Sequence, residues 1–130
     1  MKSRILVIDD DELYREGICM QLDLEGYEVI AASSGKKGFE LAKDKLPDLV
    51  LTEVNMLEMN GYDTLRLLRS EKRTSSIPII MMTGRTTHDL QFRYGGDMYP
   101  DDYIIIPFTR LELLTSITAK LPKDKERLET

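Results

Sequence analysis

Five short apolar runs, separated by longer stretches in which apolar residues recur every three or four positions, set the order of elements along the chain. The runs are Arg4–Asp9, Glu28–Ala32, the Leu49–Leu51 stretch inside Pro47–Gly61, Ile79–Met82 and Tyr103–Ile106. Each has the length of a strand and is bounded by turn-forming residues, the pattern of strands buried on both faces. Between them the period changes to that of a helix. Leu13, Gly17, Met20 and Leu24 recur at helical spacing after Asp10 and Asp11, either of which can cap the free amide donors, and Gly26 ends the segment. Ser34 caps a helix over Lys36–Lys45 with Phe39, Ala42 and Leu46 inward. Tyr62, Leu65 and Leu68 mark a buried stripe after Gly61, and a short helix is predicted near His88–Arg93. Thr109 and Glu112 form a capping box for a last helix with Leu111, Leu114, Ile117 and Leu121 inward. Strands alternating with helices predict an α/β fold, a single doubly wound parallel sheet of five βα units.

Composition narrows this picture without redirecting it. The 130 residues fit one domain, expected over 1–122, with a charged tail or the start of a linker at 123–130. A net charge of −5 with scattered basic residues leaves no stripe for nucleic-acid phosphates. No apolar run approaches the ~20 residues that span a bilayer, and acid follows the amino terminus too soon for a signal peptide. Cys19 is alone, so no disulfide or thiolate metal site forms within the chain. The expectation is a cytoplasmic protein that binds neither membrane nor nucleic acid through this domain.

In a parallel sheet the carboxyl ends of the strands frame the ligand crevice. The first strand brings Asp9 and Asp10 there, the third Glu53, the fourth Thr83 and the fifth Ile106, while Asp11 is left to cap the first helix. The runs ILVIDD, PDLVLTEVNMLEMNG, IPIIMMTG and DDYIIIPF stand in the order and near the spacing of one known family. From about Arg4 to Leu121 the chain resembles the receiver domain of two-component response regulators. That resemblance implies the flavodoxin-like strand order 2-1-3-4-5. It also implies an acidic pair for Mg²⁺ at Asp9 and Asp10, and a backbone carbonyl ligand at Asn55. Thr83 matches the family's hydroxyl and Tyr103 its switch aromatic. The phosphoacceptor position is occupied by Glu53 rather than aspartate, and the lysine position by Ile106; Leu57 replaces a proline usual in the loop.

The two departures fall on one chemical step. Phosphorylation of a carboxylate is in-line transfer, catalysed by positioning and charge stabilisation. The extra methylene of Glu53 displaces the nucleophile by ~1.5 Å, and a misplacement of about 1 Å can cost ~10²-fold in rate. Losing the lysine removes a cation worth ~3–4 kcal/mol if it resembles an oxyanion donor. Nor does Glu53 serve as a fixed mimic of the phosphorylated state, because Ile106 cannot pair with it. Three carboxylates without a cation repel by about 4 kcal/mol per pair at ~4 Å and an effective dielectric near 20. They call for a divalent ion, a proton on one carboxyl, or a substitute cation, for which Arg85 is the nearest candidate.

The reading that results is a pseudo-receiver, not an enzyme, acting through protein contacts. Resemblance suggests a histidine kinase, an output domain or another signalling protein as partner. It also suggests a homodimer through the face of the fourth helix, fifth strand and fifth helix, where the irregular Gly95–Asp102 segment lies. Met56 and Met59 are candidates for an apolar contact patch beside the crevice, and His88 reads as a solvated helix residue. Two other functions are compatible with parts of the chain. One is a conventional response regulator phosphorylated on Glu53. The other is a Mg²⁺-dependent phosphatase of the haloacid dehalogenase type, using Asp9 and Asp11, Thr83, and the Gly96-Asp97…Asp101 motif.

Overall fold

The computed structural model describes residues 2–84 and 90–122. Strands β1 (Arg4–Ile8), β2 (Glu28–Ala32), β3 (Leu49–Glu53), β4 (Ile79–Thr83) and β5 (Asp102–Ile105) form one parallel sheet in the order β2-β1-β3-β4-β5. This is the flavodoxin-like order. The chain leaves β1 toward β2, then crosses back to β3 on its other side, which opens a crevice at the carboxyl ends of β1 and β3. Ile8 stands opposite Thr52 in that register, so Asp9 and Glu53 each follow the last paired residue.

Helices cover both faces. α2 (Gly35–Lys45) and α3 (Gly61–Ser70) enclose one apolar cluster with Leu6, Ile8, Val50, Ile79 and Met81. α1 (Glu12–Leu24) and α4 (Arg110–Lys120) enclose the other with Ile5, Val7, Leu51, Ile80 and Met82. Each of these four α-helices opens on a side-chain cap: Asp11 accepts from the Tyr14 amide, Ser34 from Lys37, Asn60 from Asp63 and Thr109 from Glu112. The last two are reciprocal capping boxes.

Several expectations are corrected. Leu13, Met20 and Leu24 lie outward at 82%, 65% and 75% exposure, and α1 buries Ile18 and Leu22 instead. Both sets fit a helical period, and only the packing partner chooses between them. Leu46 is exposed in a left-handed conformation that ends α2; the inward contact is made by Gly35 and Gly38 beside Ala42. A Cβ on Gly38 would lie 2.3 Å from Ile8 Cδ1, and one on Gly35 2.2 Å from Thr64 Oγ1, so the helix docks almost backbone to side chain. In α4 Leu111 faces out and Leu113 takes its place in the core. The segment predicted near His88–Arg93 is described only in part, as a π-helical turn over Gln91–Gly95; His88 and Arg85 lie outside the described residues, as do 123–130. β5 begins and ends one residue earlier than predicted, so Ile106 sits just past the ladder, before a cis peptide bond to Pro107.

Candidate functional site

Asp9 is the most enclosed of the crevice carboxylates, at 2% exposure. Its amide donates to the Ala32 carbonyl, which carries the β1–β2 pairing one residue further and fixes the side chain's direction. Asp9 Oδ1 accepts from the Asp11 amide at 3.0 Å, and its carbonyl accepts from the Arg15 guanidinium at 2.8 Å. Asp10 is exposed, and its Oδ2 accepts from the Leu57 amide at 3.0 Å, which ties the loop after β3 to the end of β1. Glu53 Oε1 accepts from the Asn55 amide at 3.1 Å. Gly61 closes the loop: a Cβ there would lie 2.7 Å from the Glu53 carbonyl oxygen.

Asp9, Asp10, Asp11, Tyr14, Glu53, Asn55 and Ile106 line one cavity of about 300 Å³. Five of the positions singled out in the sequence (9, 10, 53, 55 and 106) are therefore together. Thr83 is fully buried and does not line it. Side chains alternate along β4, and Met81 packs with the α2–α3 cluster while Met82 packs with α1 and α4. Thr83 therefore follows Met81 to the other side of the sheet from Glu53, which follows Leu51. Tyr103 is set apart as well, its ring against the α2–α3 cluster. Tyr14 was not foreseen. The signal was there, three residues after the capping Asp11, but it is legible only once Ile18 and Leu22 are known to be the inward stripe. Its ring meets Phe108 edge-on at 6.3 Å between centroids.

Among the described residues, no lysine or arginine lines this cavity, and Arg85 lies outside them. Burial, opposed by the Asn55 amide and reinforced by Asp9, pushes the Glu53 carboxyl up to about 7 from 4.5. Burial also raises Asp9, with Asp10 and Asp11 adding to it and the Asp11 amide and Arg15 opposing. The Tyr14 phenol rises too, first by burial and then by the charges of Glu53 and Asp9. These shifts run in the direction of one of the three remedies for crowded carboxylates, a proton on Glu53.

That has a measurable sign. Glu53 binds its proton more tightly folded than unfolded, so its contribution to stability is complete below about 4.5 and is lost as pH rises toward about 7. Glu53→Gln keeps the acceptor for Asn55 and removes the titration. Thermal unfolding is expected to show the parent losing stability relative to Glu53→Gln between about pH 5 and about pH 8, the variant being the more stable at the upper end. A constant difference across that range would refute the assignment.

The donor atoms are all oxygen, which suits a hard divalent ion. Among the described residues, no three His, Cys, Asp or Glu side chains converge closely enough to hold a metal ion. Each carboxylate has instead turned one oxygen to a local amide, Asp9 to Asp11, Asp10 to Leu57 and Glu53 to Asn55.

The two loop methionines are half-buried, Met56 lining one surface pocket and Met59 another. Met56 packs on the apolar core and the Met59 sulfur crowds the space beside Gly35, leaving Leu57 as the exposed apolar residue. The phosphatase-like motif also separates. Asp101 accepts from the Ile79 amide at 2.7 Å and from Arg69 at 2.8 Å, at the start of β4 and the opposite end of the sheet from Asp9. An acidic motif split between the two ends cannot serve one reaction centre.

A parallel 2-1-3-4-5 sheet with an acidic crevice at the β1–β3 switch point defines the class, and residues 5–118 match the response regulator receiver domain. The chain belongs to that family. It is 34% identical over 127 residues to the DNA-binding response regulator MtrA of Mycolicibacterium smegmatis, covering 97% of this chain and 54% of that protein. The chain thus spans about half the length of the curated relatives it matches. Among solved structures, the chemotaxis protein CheY4 of Vibrio cholerae superposes with a TM-score of 0.86 at 25% identity, covering 93% of this chain and all of that one. The receiver domain of sensor histidine kinase PA1611 from Pseudomonas aeruginosa superposes with a TM-score of 0.84 at 22% identity, covering 92% and 98% of the two chains. That structure has a magnesium ion coordinated in its active site cleft.

Proposed function

We propose that this receiver domain signals without depending on phosphorylation, as a binding module whose crevice has lost phosphotransfer chemistry. One observation carries the reading: Glu53 and Ile106, the two departures from the family pattern, line the same small cavity. An overlong nucleophile therefore faces an apolar side chain where developing negative charge needs a cation. The raised Glu53 carboxyl points the same way, since a protonated acid is a poor nucleophile. Asp9 and Asp10 keep the positions that hold magnesium in the family, but no step of this reading passes through a metal ion. Partners of the family's kind, a histidine kinase or an output domain, meet the domain beside β5 and α4, where two copies can also pair. Exposed Ile105 and Leu111 supply apolar contact area on that side.

Acetyl phosphate with Mg²⁺, followed by intact mass and tyrosine fluorescence, tests the proposal. The expected result is no phosphoryl adduct and no change in emission over hours. An adduct mapped to Glu53 would restore the conventional response-regulator reading.

A further inference from the structure

Gln91 is a polar side chain at 8% exposure inside the π-helical turn, held by three hydrogen bonds. Its Nε2 donates to the carbonyls of Gly96 at 3.0 Å and Met98 at 2.8 Å. Its Oε1 accepts from the Tyr103 hydroxyl at 2.6 Å. The amide orientation follows from these partners, because a flipped amide would set its oxygen against two carbonyl oxygens. The Tyr103 hydroxyl is thereby committed as a donor to Gln91. It also contacts the hydroxyl of Tyr62, which is fully buried on α3 and must be the donor in that pair. The Tyr62 ring stacks against Tyr94 at 6.4 Å, and Arg66 donates to the Tyr94 carbonyl. A one-way chain of hydrogen bonds thus runs from α3 through β5 to the surface turn.

We propose that Gln91 and Tyr62 form a latch that holds Tyr103 inward and fixes the turn carrying Phe92 and Tyr99 in one presentation, whatever occupies the Glu53 cavity. None of the three latch residues lines that cavity. Each link leaves a buried donor or acceptor unpaired if it is broken, so the chain closes as a unit. Burial raises both phenols, first among the causes for each, and so keeps them in the protonated form that can donate. The turn can also be attacked from its far side. A Cβ on Gly95 would lie 2.3 Å from Gln91 Nε2, and its three nearest atoms all belong to the Gln91 amide, so Gly95→Ala must displace that amide. The mobile partner of the latch would then be the surface itself: Phe92 is 86% exposed and Tyr99 63%. Gln91 and Tyr62 are positioning residues, acting through Tyr103. The inference stands on this geometry and not on the phosphorylation reading.

The test uses the whole chain labelled with fluorotyrosine, the Tyr103 signal being identified by its loss in Tyr103→Phe. Gln91→Leu and Gly95→Ala are both expected to move the Tyr103 fluorine resonance toward the solvent-exposed value. Both are also expected to speed amide exchange over 96–99 by about ten-fold, the effect of one lost buried hydrogen bond. Exchange over β3 stays within about two-fold, since only sub-global opening is involved. Tyr62→Phe, which removes one hydroxyl and leaves the ring in place, gives the same shift to a smaller extent and serves if the other variants fold poorly. A Tyr103 resonance that stays in place in Tyr62→Phe and in whichever of the other two folds would overturn the latch. So would a Glu53→Gln variant that moves it as far as Gln91→Leu does.

Discussion

A chain carrying Glu53→Asp and Ile106→Lys together is expected to take up a phosphoryl group from acetyl phosphate and Mg²⁺ at least ~10³-fold faster than the parent. The reasoning joins two penalties acting on one transition state. Shortening the acceptor by a methylene returns the carboxylate to in-line reach. Lysine at 106 projects from the wall of the same cavity and brings a cation to the charge that develops there. Because both act on one step, they are not independent. Each single variant is expected to recover only a small part of the gain, and the double variant more than their product. Intact mass against time, with the parent and both singles in parallel, measures this. A parent that is labelled as fast as the double variant would end the case for lost chemistry.

The second large effect concerns the core. Tyr62→Ala removes a fully buried ring from the centre of the α2–α3 cluster. Truncation of a buried aromatic costs about 3–5 kcal/mol through lost transfer energy and the cavity left behind. Here it also strips the Tyr103 hydroxyl of a partner. Leu13→Ala should change stability by no more than about 0.5 kcal/mol, because the side chain is already in water. Urea unfolding of the two variants sets them side by side. A Leu13→Ala cost of core size would mean that α1 sits with its other face inward.

That pair of variants marks how far the sequence alone could be read. Strand positions were legible because buried strands are short apolar runs with few alternatives, and the crevice followed from where those runs end; the strand order in the sheet came from the resemblance to receiver domains. Asp9, Asp10, Glu53 and Ile106 could be placed together from the strand ends, and Asn55 joined them through the resemblance. The orientation of α1 could not be read. Its apolar residues fit two helical faces, and the choice belongs to Leu51, Ile80 and Met82 beneath it, which no local pattern reports. Gly35 and Gly38 were missed for the opposite reason: their contribution is the absence of a side chain, which hydrophobic periodicity does not register. Thr83 needed the alternation along β4 to be followed one residue beyond Met82. Tyr62, Tyr103 and Gln91 lie on three separate elements, and their shared hydrogen bonds follow from tertiary packing alone.

The two glycines of α2 carry one more implication. Turning that helix about its axis would drive Lys36 or Lys37 into gaps where Ile8 and Thr64 leave room for nothing larger than a hydrogen. α2 is in effect keyed into β1 and α3, with no slack to rotate. Whatever adjustment the domain makes when its crevice is altered must therefore be absorbed across the sheet, by β4, β5 and the turn that follows them in space, while the β2 edge stands still.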